Sequence, residues 1–156
     1  MNNKEKSTDL WVYDLLKEAN ISLDPQGSSI KEINEALKTA SKRGTGRVGF
    51  PEYVGVVKDF IIVIEDKSSL SMHVKRTERD LLSEDIASIC DYAVNGALFY
   101  GKHLIKNTSY TKVIAIGVSG NEKKHKINPL FINERLEYDE LPEIETFISF
   151  SEDNIH

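Results

Sequence analysis

The sequence predicts an α/β domain with a central mixed β-sheet flanked by helices, and three observations carry that prediction. Two apolar runs, FIIVI at 60–64 and VIAIGV at 113–118, suit strands buried on both faces. A helical stretch, residues 84–106, lies between them, which makes the two strands parallel through a right-handed crossover. Upstream, YVGVV at 53–57 is joined to the first run through a turn at Val57-Lys58-Asp59, which reads as a hairpin.

Each element has its local signal. Thr8 or Asp9 caps a first helix in which Leu10, Val12, Tyr13, Leu15 and Leu16 recur at near-helical spacing. DPQGSS at 24–29 is a loop, and Ser28 or Ser29 caps a second helix with Ile30, Ile33, Ala36, Leu37 and Ala40 on one face. Gly44 and Gly46 break that helix before the hairpin. The strand at 60–66 is followed by a long polar loop, in which His73 is expected at the surface. Ser83 caps the long helix, with Glu84 and Asp85 in its first turn. Residues 111–120 form the second buried strand, and Lys126 to Ile132 pair beside it.

The 156 residues suit one domain, with a core over about 8–133 and an acidic tail at 134–156. A net charge of −5 leaves no global basic signature, so contact with nucleic acid requires a local patch. Cys90 is the only cysteine, which excludes an intramolecular disulfide framework. MNNKEKSTDL lacks the apolar core of a signal peptide, and no apolar run approaches the ~20 residues of a membrane span. The expectation is a soluble cytoplasmic protein with no membrane partner.

The chemistry concentrates where FIIVI ends in Glu65-Asp66-Lys67. In a strand Glu65 and Lys67 share one face and Asp66 takes the other. The hairpin brings Glu52, next to Pro51, opposite residues 64 to 66. Two carboxylates beside a lysine make a hard-cation site, in which Glu52, Glu65 and the main-chain carbonyl of Asp66 hold Mg2+ with Mn2+ as a substitute. Lys67 then orients the attacking water and offsets charge on a pentavalent phosphate. Lys38, Lys42, Arg43 and Arg47, interspersed with glycines, offer a DNA-facing edge, and His73 is a further phosphate-contacting candidate. GVSG at 117–120 lacks the spacing of a phosphate-binding loop.

Pro51-Glu52, the apolar strand and Glu65-Asp66-Lys67 resemble the P-(D/E)…(D/E)-x-K signature of the PD-(D/E)xK nuclease superfamily. The blocks KTASKRGTGRVGFPEYVGVVKDFIIVIEDK, DYAVNGALFYGKHL and VIAIGVSG resemble one branch of it. That branch is the amino-terminal nuclease domain of type IIG and single-polypeptide type I-like restriction enzymes, fused to an adenine-type DNA methyltransferase. The resemblance covers about residues 8–133. It implies the restriction-endonuclease-like fold and Mg2+-dependent cleavage of double-stranded DNA, with Glu52, Glu65 and Lys67 catalytic. It also implies methyltransferase and target-recognition regions in a longer parent polypeptide, and a transient dimer on DNA. Related nucleases often carry a glutamine four residues before a tyrosine on the helix after this strand. Tyr100 suits the tyrosine, but Gly96 holds the glutamine's place, so Asn95 and Tyr100 are secondary site candidates that read first as packing residues. An acid from an earlier helix often completes such sites, and Glu18 and Glu35 are both available. The rival readings are a catalytically silent DNA-binding or docking module and a repair nuclease.

Overall fold

The computed structural model describes residues 3–40 and 50–156, with side chains from Lys6 onward. In chain order the elements are α1 (Asn3–Glu18), β1 (Asp24–Pro25), α2 (Lys31–Leu37), β2 (Tyr53–Val57), β3 (Phe60–Lys67), α3 (Ile86–Asp91), α4 (Ala93–Asn107), β4 (Val113–Gly120), β5 (His125–Ile132) and β6 (Tyr138–Glu140). The strands form one six-stranded sheet in the order β1-β2-β3-β4-β5-β6. Among the described residues only β3 and β4 run parallel, and the other neighbours are antiparallel. This is the expected mixed-sheet α/β fold, consistent with a restriction-endonuclease-like core.

The period of two along β3 and β4 sorts their side chains into two cores. Ile61, Val63, Val113 and Ala115 face α2 and α4, meeting Leu37, Ala97, Leu98 and Leu104. Ile62, Ile64, Ile114, Ile116 and Val118 face α1, meeting Val12, Leu15 and Leu16. Each fully buried Ile or Leu contributes about 1.5–3 kcal/mol, so both faces are strongly held. The acidic tail takes part as well. Phe147, Phe150 and Ile155 close the second core, and β6 extends the sheet, so the packed unit runs well beyond residue 133.

Three expectations are corrected locally. α1 begins at Asn3, so Thr8 and Asp9 lie inside it rather than capping it. The N-cap of α2 is Ile30, whose N–H is taken by Ser28 Oγ at 3.0 Å. The long helix divides at Tyr92, which is extended (φ −115°, ψ 136°) and separates α3 from α4, and Asp85 rather than Ser83 caps α3. The cause of the division is tertiary. Val94 N–H donates to the main-chain oxygen of His73 at 2.9 Å, and the Val94 backbone lies against Gly117. A Cβ on Gly117 would sit 2.6 Å from Val94 N and Cα, so only glycine lets the start of α4 rest on β4. No helix among the described residues is long and apolar enough to cross a membrane.

Candidate functional site

The hairpin register fixes the site. Tyr53 pairs with Ile64, and one residue further on Glu52 N–H donates to Glu65 Oε1 at 3.1 Å. Glu65 is 4% exposed and lies on the α4 side of the sheet. Lys67 shares that side and donates from Nζ to the main-chain oxygen of Cys90 at 3.0 Å. Tyr100 stands over the same end. Burial raises its phenol, and the nearby carboxylates of Glu65 and Glu52 raise it further. The structure therefore brings Glu65, Lys67, Tyr100 and the backbone of Glu52 to one place.

Asp66 points to the opposite face and is 6% exposed. There its carboxylate gathers with those of Glu52 and Asp9, one oxygen from each lying within 4.8 Å of the others. Burial pushes the Asp66 carboxyl far above the usual carboxylate range, with Asp9, Glu52 and Glu65 adding to it. Among the described residues, no donor reaches the buried Asp66 Oδ2 and Asp9 Oδ1, although the two carboxyl groups lie close enough to share a proton. Buried acceptors without donors suit a hard cation, so the donor set fits a divalent metal. Glu52 thus serves both faces of β3. Where the sequence suggested the main-chain carbonyl of Asp66 as a ligand, the structure gathers the side chain of Asp66 with Glu52.

Asp9 is the residue that sequence reasoning missed. It lies three residues before Val12 and seven before Leu16, on the buried stripe of α1, and an acid at an apolar position was the available signal. Of the two helix acids considered, Glu18 is exposed, and Glu35 is exposed and pairs with Lys38 at 3.0 Å. Neither reaches the strand end as Asp9 does.

The DNA-facing candidates fare differently. Lys38 is exposed on the end of α2, while Lys42, Arg43 and Arg47 lie outside the described residues. His73 is not at the surface; it is 3% exposed. Its Nε2 meets Asn128 Oδ1 at 2.6 Å and its Nδ1 meets Ser119 Oγ at 2.8 Å. Both ring nitrogens are spent on pinning the loop after β3 to β4 and β5. Burial lowers the His73 pKa, and so favours the neutral ring. Asn95, fully buried, accepts from Lys75 N–H at 2.9 Å and donates to the main-chain oxygens of Lys75 and Ser83 at 2.8 and 2.7 Å. It clamps the same loop, in line with its reading as a packing residue.

No family model matches the chain, and no solved structure matches it significantly. The chain is 34% identical over 157 residues to a type II restriction enzyme and methyltransferase, RM.BcgI, of Heyndrickxia coagulans. The alignment takes in 99% of this chain and 24% of that protein, so the chain spans only a minor part of its relative's length. It is thus related to part of a restriction-modification enzyme.

Proposed function

We propose that the chain is a Mg2+-dependent DNA endonuclease domain of the PD-(D/E)xK superfamily, acting in the restriction of foreign DNA in the cytoplasm. The observation that carries the reading is the junction of Glu52 and Glu65. The buried carboxylate of Glu65 holds the Glu52 N–H at 3.1 Å, with Lys67 on the same face of the same strand. Similarity to a restriction enzyme over nearly the whole chain supports it.

Glu52 and Glu65 would hold the metal, which when bound supplies electrophilic polarisation of the phosphodiester and an acidified water. Lys67 orients the attacking water and meets the negative charge that grows on the phosphoryl oxygens. The water oxygen forms the new bond to phosphorus while the bond to the leaving sugar oxygen breaks. No covalent protein intermediate is required. Double-stranded DNA is the substrate, with Lys38, Lys42, Arg43 and Arg47 supplying phosphate contacts. Methyltransferase and target-recognition regions would be supplied by a longer parent polypeptide, and cutting both strands calls for two copies on DNA.

A second reading, a catalytically silent docking module, is favoured by one contact: the Lys67 ammonium is engaged by the carbonyl of Cys90. Plasmid nicking separates the two. The enzyme reading expects nicked and linear DNA with Mg2+ and none with chelator, and intact plasmid at high protein concentration with Mg2+ and Mn2+ would establish the silent module.

A further inference from the structure

The connection from β4 into β5 reads NEKKHK at 121–126, which sets Lys123, Lys124 and Lys126 close together in the chain. All three are exposed, and no ion pair among the described residues engages any of them. Lys38, Lys102 and Lys112, by contrast, each hold a carboxylate. In a chain of net charge −5 this is a local basic patch, with Glu122 as the acid inside it.

The sheet register fixes where the patch stands. Lys67 pairs with Ser119 across the parallel seam, and Ser119 pairs with Lys126. Residues paired across strands share a face, so Lys126 lies on the same side of the sheet as Lys67, two strands away. Two strand spacings of about 4.8 Å put roughly 10 Å between their backbones. His73, whose ring bonds Ser119 and Asn128 on that face, feels the charge of Lys126, in agreement with this placement. The turn follows the last residue of β4, at the end of the sheet where Glu65 and Lys67 emerge.

The turn is ordered by its own bonds. Asn121 Oδ1 accepts from the N–H groups of Lys123 and Lys124 at 2.9 and 3.0 Å, and Asn121 N–H donates to the main-chain oxygen of Lys124 at 2.9 Å. Gly120 enters the turn at φ +95°, and a Cβ there would collide with the same Lys124 oxygen. The His125 ring meets Glu145 at 2.6 Å and lies 4.6 Å from the ring of Trp11, so the turn is pinned to α1 and to the chain after β6. Backbone held in advance loses little freedom when a ligand arrives.

We propose that this turn is a phosphate-binding strip for the backbone of duplex DNA, with Lys123, Lys124 and Lys126 as its contacts. It rests on the nuclease reading for the path of the duplex, which crosses the sheet end from Lys67 toward β5. A duplex carries one negative charge per about 1.7 Å of axis, so several phosphates fall within the roughly 10 Å between Lys67 and Lys126. The strip positions the backbone beside the scissile phosphate and reads no bases.

The test is fluorescence anisotropy of a labelled duplex titrated with the purified chain, in Ca2+ and again with chelator, at several salt concentrations. The triple variant Lys123→Ala, Lys124→Ala, Lys126→Ala should bind on the order of tenfold more weakly at low salt, with a slope of log affinity against log salt shallower by about three. Lys126→Ala alone should lose about one from the slope. Lys106→Ala, in the last turn of α4 at the far end of the sheet, should lose none. A triple variant with the parent's affinity and slope overturns the proposal. So does an equal loss in Lys106→Ala, which would reflect net charge only, and so does a parent that binds no duplex at low salt. Should the triple variant fail to fold, Lys126→Ala decides by the same comparison. Plasmid cleavage is scored separately. Uncut plasmid with the shallower slope defeats the nuclease reading alone, and cut plasmid with an unchanged slope defeats this one alone.

Discussion

Lys67 Nζ sits 3.0 Å from the main-chain oxygen of Cys90, so the ammonium of β3 caps a carbonyl in the last turn of α3. That carbonyl belongs to the set a helix end leaves without an intrahelical donor. Lys67→Ala should therefore show two separable losses. Stability should fall by about 1.5–3 kcal/mol, since a charge-assisted hydrogen bond is gone. Cleavage should fall by orders of magnitude while Mn2+ binding by calorimetry persists, because the lysine acts on developing charge rather than on the metal. A variant that cuts DNA as well as its parent would remove this strand end from consideration as the catalytic site.

Phosphate contacts should behave differently from catalytic ones. Lys42→Ala or Arg47→Ala should weaken DNA binding and lower the slope of log affinity against log salt by about one per residue. Turnover at saturating DNA should persist. Binding isotherms at several salt concentrations check this, and an unchanged slope would take these residues off the DNA-facing edge.

Gly117 carries the contact between α4 and β4. Adding a methyl there places a Cβ 2.6 Å from Val94 backbone atoms, and backbone cannot swing aside as a flexible side chain can. Gly117→Ala should destabilise the fold by about 1–3 kcal/mol, the usual cost of overpacking. A denaturant midpoint equal to that of the parent would show that α4 is free to move off the sheet.

Asn95 satisfies three main-chain groups of the loop after β3. Asn95→Ala leaves them without that partner, at about 1–3 kcal/mol for each group that stays buried. Hydrogen exchange should accelerate first at Lys75 and its neighbours, before the core strands. Uniform acceleration across the domain would count against a local clamp.

One contribution to the pH dependence of stability comes from His73. Burial lowers its folded pKa below the unfolded value, so the unfolded chain binds the proton more readily. The contribution of the neutral ring is complete above the unfolded pKa of about 6.5, and is lost as pH falls from there toward the folded pKa. His125 has the opposite sign. Burial lowers it, but bonds to Glu145 and to the Asn121 carbonyl outweigh that and raise it, so its contribution is full in acid and fades as pH rises. Between pH 7 and 5, a span around the histidine value of about 6.5, the Tm of the parent minus that of His73→Gln should decrease as pH falls. Parallel curves would contradict a buried neutral ring.

Much of the fold was legible because the strands announce themselves. FIIVI and VIAIGV are apolar at every position, which sites both residue sets in a core whichever face they take. The offset between Glu52 and Glu65 followed from the hairpin alone. What stayed hidden depended on distant partners. His73 sits in a polar stretch, and the residues that bury it, Ser119 and Asn128, are 46 and 55 positions away. Tyr92 interrupts a run that is helical by pattern, for reasons located in Gly117 and His73. Asp9 has the residue type of a helix cap, but the polar residues ahead of it are already helical from Asn3, and Phe147, Phe150 and Ile155 stand among acids that read as a solvated tail.

The order of strands in the sheet equals their order in the chain, and this shapes how the molecule comes together. β2 with β3, and β4 with β5, are local hairpins that close with short loops at little entropic cost. The seam between β3 and β4 is the one parallel pairing among the described residues, and it waits for the chain to pass through α3 and α4. Such non-local pairings form late, because loop closure precedes their reward. Glu65 and Lys67 lie on this seam, opposite Gly117 and Ser119, and Tyr100 reaches them only with α4. Glu65 and Lys67 should therefore remain open to solvent until the final step of assembly. Pulse-labelled exchange during refolding should show hairpin amides protected before those of the seam, so that no partly folded chain carries a finished site.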